Sequence, residues 1–266
     1  MTRTWLILAP LLALAGPGLA TTQDDVLAGA ILPGWQMPDG SHMAGLRLTL
    51  APGWKTYWRS PGDAGIPPAF DWSDSENVRA VRIHWPAPSV FLTNGLQSIG
   101  YHDEVTLPVE VTAIDPALPM RLSATVELGV CDEICLPASL TLTSDLIAPG
   151  ASDTMIKAAL ARRPATATEA GVTSVSCTVD PIADGLRITA SIAMPRSGGP
   201  ETVAFETADP TVWIAESTAS RDGNRLTAMT EMVPQSGAPF ALDRSAVIVT
   251  ILSDDGAVEI RGCPAP

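Results

Sequence analysis

The chain has 266 residues, of which 46% are hydrophobic and 17% charged, and its formal net charge is −13. This composition is typical of a folded globular protein and excludes a disordered chain. The excess of carboxylates repels phosphate backbones, so nucleic acid is not an expected partner. At roughly 100 to 200 residues per domain, the length favours two domains.

The first twenty residues are typical of a secretory signal peptide. Arg3 precedes an apolar run from Trp5 to Ala15, and small residues follow up to Ala20. The run is shorter than the ~20 residues of a membrane-spanning helix. We expect cleavage at Ala20, a periplasmic location and no membrane insertion after cleavage.

The rest of the first half shows the period of two that is typical of half-buried strands. The alternating segments are 46–50, 81–85, 105–111, 120–128 and 140–142. Turns rich in Pro, Gly and Asp separate them, which favours antiparallel sheets.

The two halves are predicted to be joined by a short helix. Ser152 or Asp153 is a suitable N-cap for an Ala-rich helix that runs to about Arg163, where Pro164 ends it. The polar stretch 165–171 then reads as a linker.

Alternating segments return in the second half at 186–192 and 247–251, and hairpin turns are predicted at 222–224 and 255–256. We therefore predict an all-β protein of two sandwiches joined by a short helix and linker. The predicted units are the signal peptide (1–20), a first sandwich (21–150) and a second sandwich (151–266) that includes the helix and has no assigned function.

Four cysteines allow three disulfide pairings. Spacing favours pairs within each half, Cys131 with Cys135 and Cys177 with Cys263. We interpret the second pair as structural, because it would tie the last strand to the body of its sandwich.

The pair at Cys131 and Cys135 is of another kind. Four strand steps span about 13 Å, whereas the Cα atoms of a disulfide lie roughly 4.4 to 6.8 Å apart, so a bonded pair requires a bend. We expect both sulfurs to lie on an exposed turn, available for exchange. A local staple that closes this turn is the alternative.

The residues between these cysteines, Asp132 and Glu133, are acidic. Negative neighbours disfavour a thiolate, so we expect weakly acidic thiols unless folding brings a cation close. The histidines (His42, His84 and His102) show no paired spacing, and we expect neither a metal site nor a cofactor.

Three motifs that occur in order resemble a known family. They are Gly53–Pro68 (GWKTYWRSPGDAGIPP), Thr106–Val109 (TLPV) and Gly129–Ala138 (GVCDEICLPA). They resemble the N-terminal periplasmic domain of thiol:disulfide interchange proteins of the DsbD and ScsB type, over about residues 25–148. The resemblance implies an immunoglobulin-like sandwich that carries electrons from a membrane domain to exported thioredoxin-fold proteins.

The resemblance also implies roles for individual residues. Cys135 would form the mixed disulfide with a partner and Cys131 would resolve it. A mobile cap loop at 92–101 would cover the sulfurs, with Leu96 as the shielding side chain. The aromatic residues Tyr57, Trp58 and Tyr101 would surround the site.

Two departures from the family pattern refine this hypothesis. Enteric DsbD separates its cysteines by more residues, so the short spacing favours an ScsB-like branch. The chain has no Cys-x-x-Cys and no membrane-spanning run after the signal segment. We therefore expect a separate membrane thiol-electron donor of the DsbD, ScsB or CcdA type to reduce it.

The favoured hypothesis is an exported thiol-disulfide oxidoreductase of the protein-disulfide reductase type, in the setting of cytochrome c maturation or copper tolerance that the resemblance implies. The alternatives are a non-catalytic periplasmic binding or assembly module with two structural disulfides, and an accessory protein linked to copper stress.

Overall fold

The computed structural model describes residues 21–93 and 95–266, so the predicted signal peptide lies outside the described residues. Nearly all regular structure in this part of the chain is β-strand, and the helices there are α1 (Gln23–Val26) and α2 (Thr154–Ala161). No helix among the described residues has the length and apolarity needed to cross a membrane.

The first sandwich comprises two antiparallel sheets. One has the strand order β1-β2-β8-β5, and the other has the order β10-β9-β3-β7-β6 with β4 paired to β9. The period-two pattern accounts for the packing, since Leu46 and Leu48 on β2 are buried in the core while Thr49 is exposed. The strand bounds are β1 Leu27–Gln36, β2 His42–Leu50, β3 Lys55–Tyr57, β4 Ala69–Asp71, β5 Val78–Ile83, β6 Ser89–Thr93, β7 Leu96–His102, β8 Glu104–Ala113, β9 Met120–Cys131 and β10 Cys135–Leu146.

The second sandwich has the sheet orders β11-β19-β18-β14 and β12-β13-β17-β15, with β16 paired to β17. Cys177 on β12 and Cys263 just after β19 form a disulfide that is buried in this core and links its two sheets. The strand bounds are β11 Ala165–Thr166, β12 Ser174–Pro181, β13 Leu186–Ala193, β14 Thr202–Glu206, β15 Trp213–Ile214, β16 Thr218–Asp222, β17 Arg225–Val233, β18 Ile248–Ser253 and β19 Gly256–Arg261. The predicted fold class, two β-sandwiches joined by a short helix, is confirmed.

Helix α2 begins after Asp153, whose carboxylate accepts hydrogen bonds from the backbone N–H groups of Met155 (2.7 Å) and Ile156 (3.1 Å). The fully buried Ile156 side chain lies over Gly45 on β2, in space that a Cβ atom there would occupy. The helix therefore packs on the first sandwich, although the sequence analysis grouped it with the second.

The predicted linker at 165–171 is ordered. Its first residues form β11, which pairs in parallel with β19. The Glu169 carboxylate then accepts hydrogen bonds from the Arg163 guanidinium (2.7 and 2.9 Å) and the Thr166 backbone N–H (2.8 Å). These contacts, the Arg163 bond first, hold the pKa of Glu169 down to about 2.

Removal of the two disulfides is expected to have unequal effects on stability. The Cys177→Ala/Cys263→Ala variant should lose roughly 4–5 kcal/mol of unfolding free energy, because its cysteines are 86 residues apart and restrict a long loop in the unfolded chain. The matched Cys131→Ala/Cys135→Ala variant should lose about 2 kcal/mol. Urea unfolding followed by circular dichroism measures both values, and equal losses would contradict the assignment.

Candidate functional site

The short strand β3 organises the site. It lies between β9 and β7, with Lys55 opposite Cys131 on one side and Tyr57 opposite Gly100 on the other. Only glycine fits at position 100, because a Cβ atom there would lie 2.0 Å from the Thr56 carbonyl oxygen. The backbone of β3 is therefore held tightly between the β9–β10 hairpin and the β6–β7 hairpin.

A disulfide closes the hairpin between β9 and β10. Cys131 is the last residue of β9, Cys135 is the first of β10, and the two are direct cross-strand partners with Cα atoms 4.1 Å apart. The backbone N–H of Asp132 donates to the carbonyl of Ile134 (3.0 Å), which completes the turn. The bend predicted from the spacing is this hairpin turn.

The two sulfurs differ in accessibility. The sequence analysis expected both cysteines to be exposed, but Cys131 is only 1% exposed whereas Cys135 is exposed. Cys131 is buried because it pairs with β3 and is covered by the Tyr57 side chain. A partner therefore reaches the disulfide from the Cys135 side.

The Tyr57 hydroxyl lies against the disulfide. It donates a hydrogen bond to Cys131 Sγ (3.0 Å), and its oxygen is 3.6 Å from Cys135 Sγ. The ring occupies space beside Gly129, where an added Cβ atom would lie 3.2 Å from the ring carbon Cε2. The hydroxyl is also within 3.4 Å of the carbonyl oxygen of Ala64. Gly129 and the loop after β3 thus shape the cavity for the phenol.

The protonation state of Tyr57 suits a donor. Its side chain is 3% exposed, and burial raises its pKa above the ordinary value near 10. The phenol therefore stays neutral at neutral pH and presents its O–H to the sulfur. A donor of this kind favours negative charge on the atom that accepts from it.

Two acidic residues lie on the cysteine turn, and one lysine lies on the paired strand β3. Asp132 and Glu133 are exposed on the turn, as expected for residues between the cysteines. Folding places Lys55 directly opposite Cys131 in the pairing of β3 with β9. Lys55 is buried, and its ammonium nitrogen lies 5.4 Å from the centroid of the Phe91 ring.

Two of the predicted aromatic neighbours lie on the other side of the sheet. Trp58 is fully buried in the first core, and Tyr101 is also buried there, with its hydroxyl donating to the carbonyl of Pro86 (2.8 Å). Successive residues of an extended chain face opposite sides, so Trp58 points into the sandwich while Tyr57 points to the sulfurs. Of the three, only Tyr57 has a hydrogen bond to sulfur among the described contacts.

The predicted cap loop is a β-hairpin formed by β6 and β7, and one of its turn residues, Asn94, lies outside the described residues. Leu92 is 77% exposed and Leu96 is 60% exposed, while Cys135 is also exposed. Cys135 is therefore exposed with the hairpin in this position, and the shielding role of Leu96 stays a prediction.

Exposed apolar side chains lie on the cysteine turn, on the loop after β3 and on the β6–β7 hairpin. Besides Leu92 and Leu96, Ile134 on the cysteine turn is 57% exposed and Ile66 in the loop after β3 is 45% exposed. Ile66 also contacts the space beside Gly129. The sequence analysis did not single out Ile66, Ala64 or Gly129, although all three lie within motifs that carry the resemblance.

Metal ligands do not gather at this site in the described part of the chain. Across residues 21–93 and 95–266, no group of three or more His, Cys, Asp or Glu side chains is placed to hold a metal ion.

Comparison with known proteins identifies relatives of the chain. Residues 28–146 match the model of the family described as "Thiol:disulfide interchange protein DsbD, N-terminal". The solved N-terminal periplasmic domain of ScsB from Proteus mirabilis is similar in fold, with a TM-score of 0.66 and 22% identity, over 92% of this chain and 96% of that chain. No curated protein matches the sequence. The resemblance predicted from the three motifs is therefore confirmed for the first sandwich, and the ScsB-type fold extends over both.

The Tyr57 contact predicts an effect on the acidity of Cys131. In a Cys135→Ser background, Tyr57→Phe should raise the pKa of the Cys131 thiol by about one unit, because a donor to the thiolate is lost and one unit corresponds to about 1.4 kcal/mol. Titration of the thiolate absorbance measures this pKa.

The second tyrosine provides the matched control for that titration. Tyr101→Phe removes a hydroxyl that donates to Pro86, so the Cys131 pKa should not change. Equal shifts in the two variants would show that the Tyr57 contact has no specific role.

Proposed function

We propose, from the match of residues 28–146 to the DsbD N-terminal family, that this protein exchanges disulfides with other exported proteins through Cys131 and Cys135. One observation carries the proposal: the exposed Cys135 is bonded to a buried Cys131 whose sulfur accepts a hydrogen bond from Tyr57. The proposed redox unit is the first sandwich, residues 21–150.

The proposal assigns a different role to each sulfur. A partner thiolate attacks the accessible Cys135 sulfur, a new S–S bond forms between them, and the Cys131–Cys135 bond breaks with its electron pair on Cys131. The Tyr57 O–H, 3.0 Å away, stabilises the departing thiolate. A second partner thiolate then attacks the partner's sulfur and releases Cys135 as a thiolate. The partner leaves oxidised, and this protein is reduced.

The reverse sequence reduces a partner. The Cys135 thiolate attacks the partner's disulfide, and the buried Cys131 thiolate then attacks Cys135 Sγ and releases the partner with both thiols. Cys131 is well placed for this second step, because it is the cross-strand neighbour of Cys135. Because Cys131 is buried, this resolving sulfur is protected from attack by thiols in solution.

A purely structural role is less well supported. Strands β9 and β10 are already paired in continuous register from Met120 and Leu146 up to the cysteines. A disulfide that closes a loop this short removes less entropy from the unfolded chain than one that closes a long loop. The exposed position of Cys135 also favours exchange over simple cross-linking.

The surroundings of Cys135 favour a protein as partner. Ile134 on the cysteine turn is exposed, as is Ile66, which lies beside Gly129 and the Tyr57 ring, and neighbouring exposed apolar groups are typical of a docking surface. We propose thioredoxin-fold proteins of the periplasm as partners on one side and a membrane thiol-electron donor of the DsbD, ScsB or CcdA type on the other. In the docked state Leu96 would move with the hairpin, and Asp132 and Glu133 would border the contact.

Trapping of mixed disulfides tests the assignment of the two sulfurs. Cys131→Ser should accumulate a mixed disulfide with a thioredoxin-fold partner, because the resolving thiol is gone. Cys135→Ser should trap at least tenfold less, because the remaining thiol is buried. Mass spectrometry of alkylated complexes reports both yields, and the opposite order would reverse the roles.

The same experiment separates this proposal from a binding module. If neither variant traps a partner while both remain folded, the disulfide is a structural staple and the exchange function is wrong.

A further inference from the structure

One arginine of the first sandwich is bound by two glutamates of the second. Arg59 Nε and Nη2 donate to the two carboxylate oxygens of Glu206 (2.7 and 3.0 Å), and Nη2 also donates to Glu259 (2.7 Å). Glu206 ends β14 and Glu259 lies on β19. These contacts join residues 147 and 200 positions apart in sequence, so they form only when the two sandwiches are docked.

The cluster is largely removed from water. The side chains of Arg59, Glu206 and Glu259 are 21%, 16% and 16% exposed, and Arg261 supplies a second cation to Glu259 (2.7 Å). Two arginines and two carboxylates balance in charge. A planar guanidinium with bidentate and bridging contacts is fixed in direction as well as in distance. Loss of one member leaves a poorly solvated charge, so the arrangement tolerates little displacement.

Arg59 is two residues from Tyr57 in the chain, and it contacts the residue between them, Trp58. The guanidinium carbon lies 4.5 Å from the centroid of the Trp58 ring, and Trp58 is fully buried. The backbone N–H of Trp58 donates to the carbonyl of Ile99 (3.0 Å), and the backbone N–H of Ile99 donates to that of Pro61 (2.9 Å). The backbone of the segment 57–61 is thus bound to β7, and the Arg59 side chain binds the same segment to the second sandwich.

We propose that Arg59 is a positioning residue, through which the second sandwich fixes the Tyr57 hydroxyl against the Cys131 sulfur. This inference rests on the proposed exchange function and assigns the second sandwich a role in it. Because coupling between two sites is reciprocal, the redox state of the cysteines would in turn bias the contact between the sandwiches.

A simple stabilising ion pair predicts a different result from a positioning contact. Loss of an ion pair lowers the unfolding free energy and leaves the thiol chemistry unchanged. Loss of a positioning contact also moves the acidity of Cys131 and the redox equilibrium. Both properties are therefore measured beside stability.

The test compares Arg59→Met and Arg59→Lys with the double variant Glu206→Gln/Glu259→Gln. In a Cys135→Ser background, Arg59→Met should lower the acid dissociation constant of the Cys131 thiol about fivefold. With both cysteines present, it should shift the glutathione equilibrium constant of the pair by a similar factor. Arg59→Lys should fall between wild type and Arg59→Met, because lysine keeps the charge but not the forked geometry. The glutamine variant keeps the shape of the cluster and serves if Arg59→Met fails to fold.

The matched control is Arg221→Met. Arg221 is paired with Glu201 inside the second sandwich, with side chains 10% and 5% exposed, so its loss tests destabilisation alone. It should lower stability and leave the Cys131 titration at the wild-type value. A double-mutant cycle completes the design: in a Tyr57→Phe background, Arg59→Met should change the thiol acidity less than twofold.

The outcomes separate the two proposals. If Arg59→Met and the glutamine variant lower stability but leave the Cys131 titration unchanged, the positioning role is wrong and the exchange function stands. If the wild-type pair does not equilibrate with glutathione while folded, the exchange function is wrong. The Cys131 titration still reports the Arg59 contact in that case.

Discussion

The site depends on the pairing of a three-residue strand with two hairpins. Strand β3 lies between β9, which ends in Cys131, and β7, which belongs to the β6–β7 hairpin. This pairing buries one sulfur, leaves the other exposed and aims the Tyr57 hydroxyl at the buried one. Without β3 in this register, the two cysteines would be equivalent members of an exposed turn. In the proposed exchange, this difference allows one sulfur to meet a partner and the other to complete the reaction.

The two disulfides of the chain differ in their position in the fold. Cys177 and Cys263 lie in the core of the second sandwich and link its two sheets across a long stretch of sequence. Cys131 and Cys135 close a hairpin that is already paired, at the surface of the first sandwich. The first arrangement closes a long loop and restricts the unfolded chain strongly, whereas the second closes a short loop, adds less to stability and leaves Cys135 exposed. The Arg59 cluster connects the two sandwiches at a residue two positions after Tyr57 in the chain.

The sequence predicts several of the alternating strands but misses others, including the long strands β1 and β17. Segments 105–111 and 120–128 fall within β8 and β9, because a long half-buried strand repeats its period several times. Strands β3 and β4 have three residues each, too few for any period to show. The hairpin between β6 and β7 read as a loop, since Gly95 and polar residues interrupt its alternation. The short helix was predicted because the Asp153 cap and Pro164 are local signals.

At the candidate site, too, local features were predictable from the sequence and contacts between distant segments were not. The cysteine pair and Tyr57 were identified from local motifs, and the match over residues 28–146 supports that resemblance. The burial of Cys131 was not predictable, because it depends on a strand more than seventy residues away in sequence. The contact of Arg59 with Glu206 spans 147 residues and follows no periodic pattern. Interactions between distant segments are determined by the packing of the two sandwiches, which a single sequence does not reveal.

The most direct test of the account is the redox equilibrium of Cys131 and Cys135 in the folded protein. The protein, without its first twenty residues, is equilibrated in glutathione buffers of graded ratio, quenched by alkylation, and each disulfide is mapped by mass spectrometry. We predict that the Cys131–Cys135 pair is reduced within the range that glutathione covers, while Cys177–Cys263 stays oxidised and circular dichroism remains native. Retention of both disulfides until the protein unfolds would contradict the exchange function.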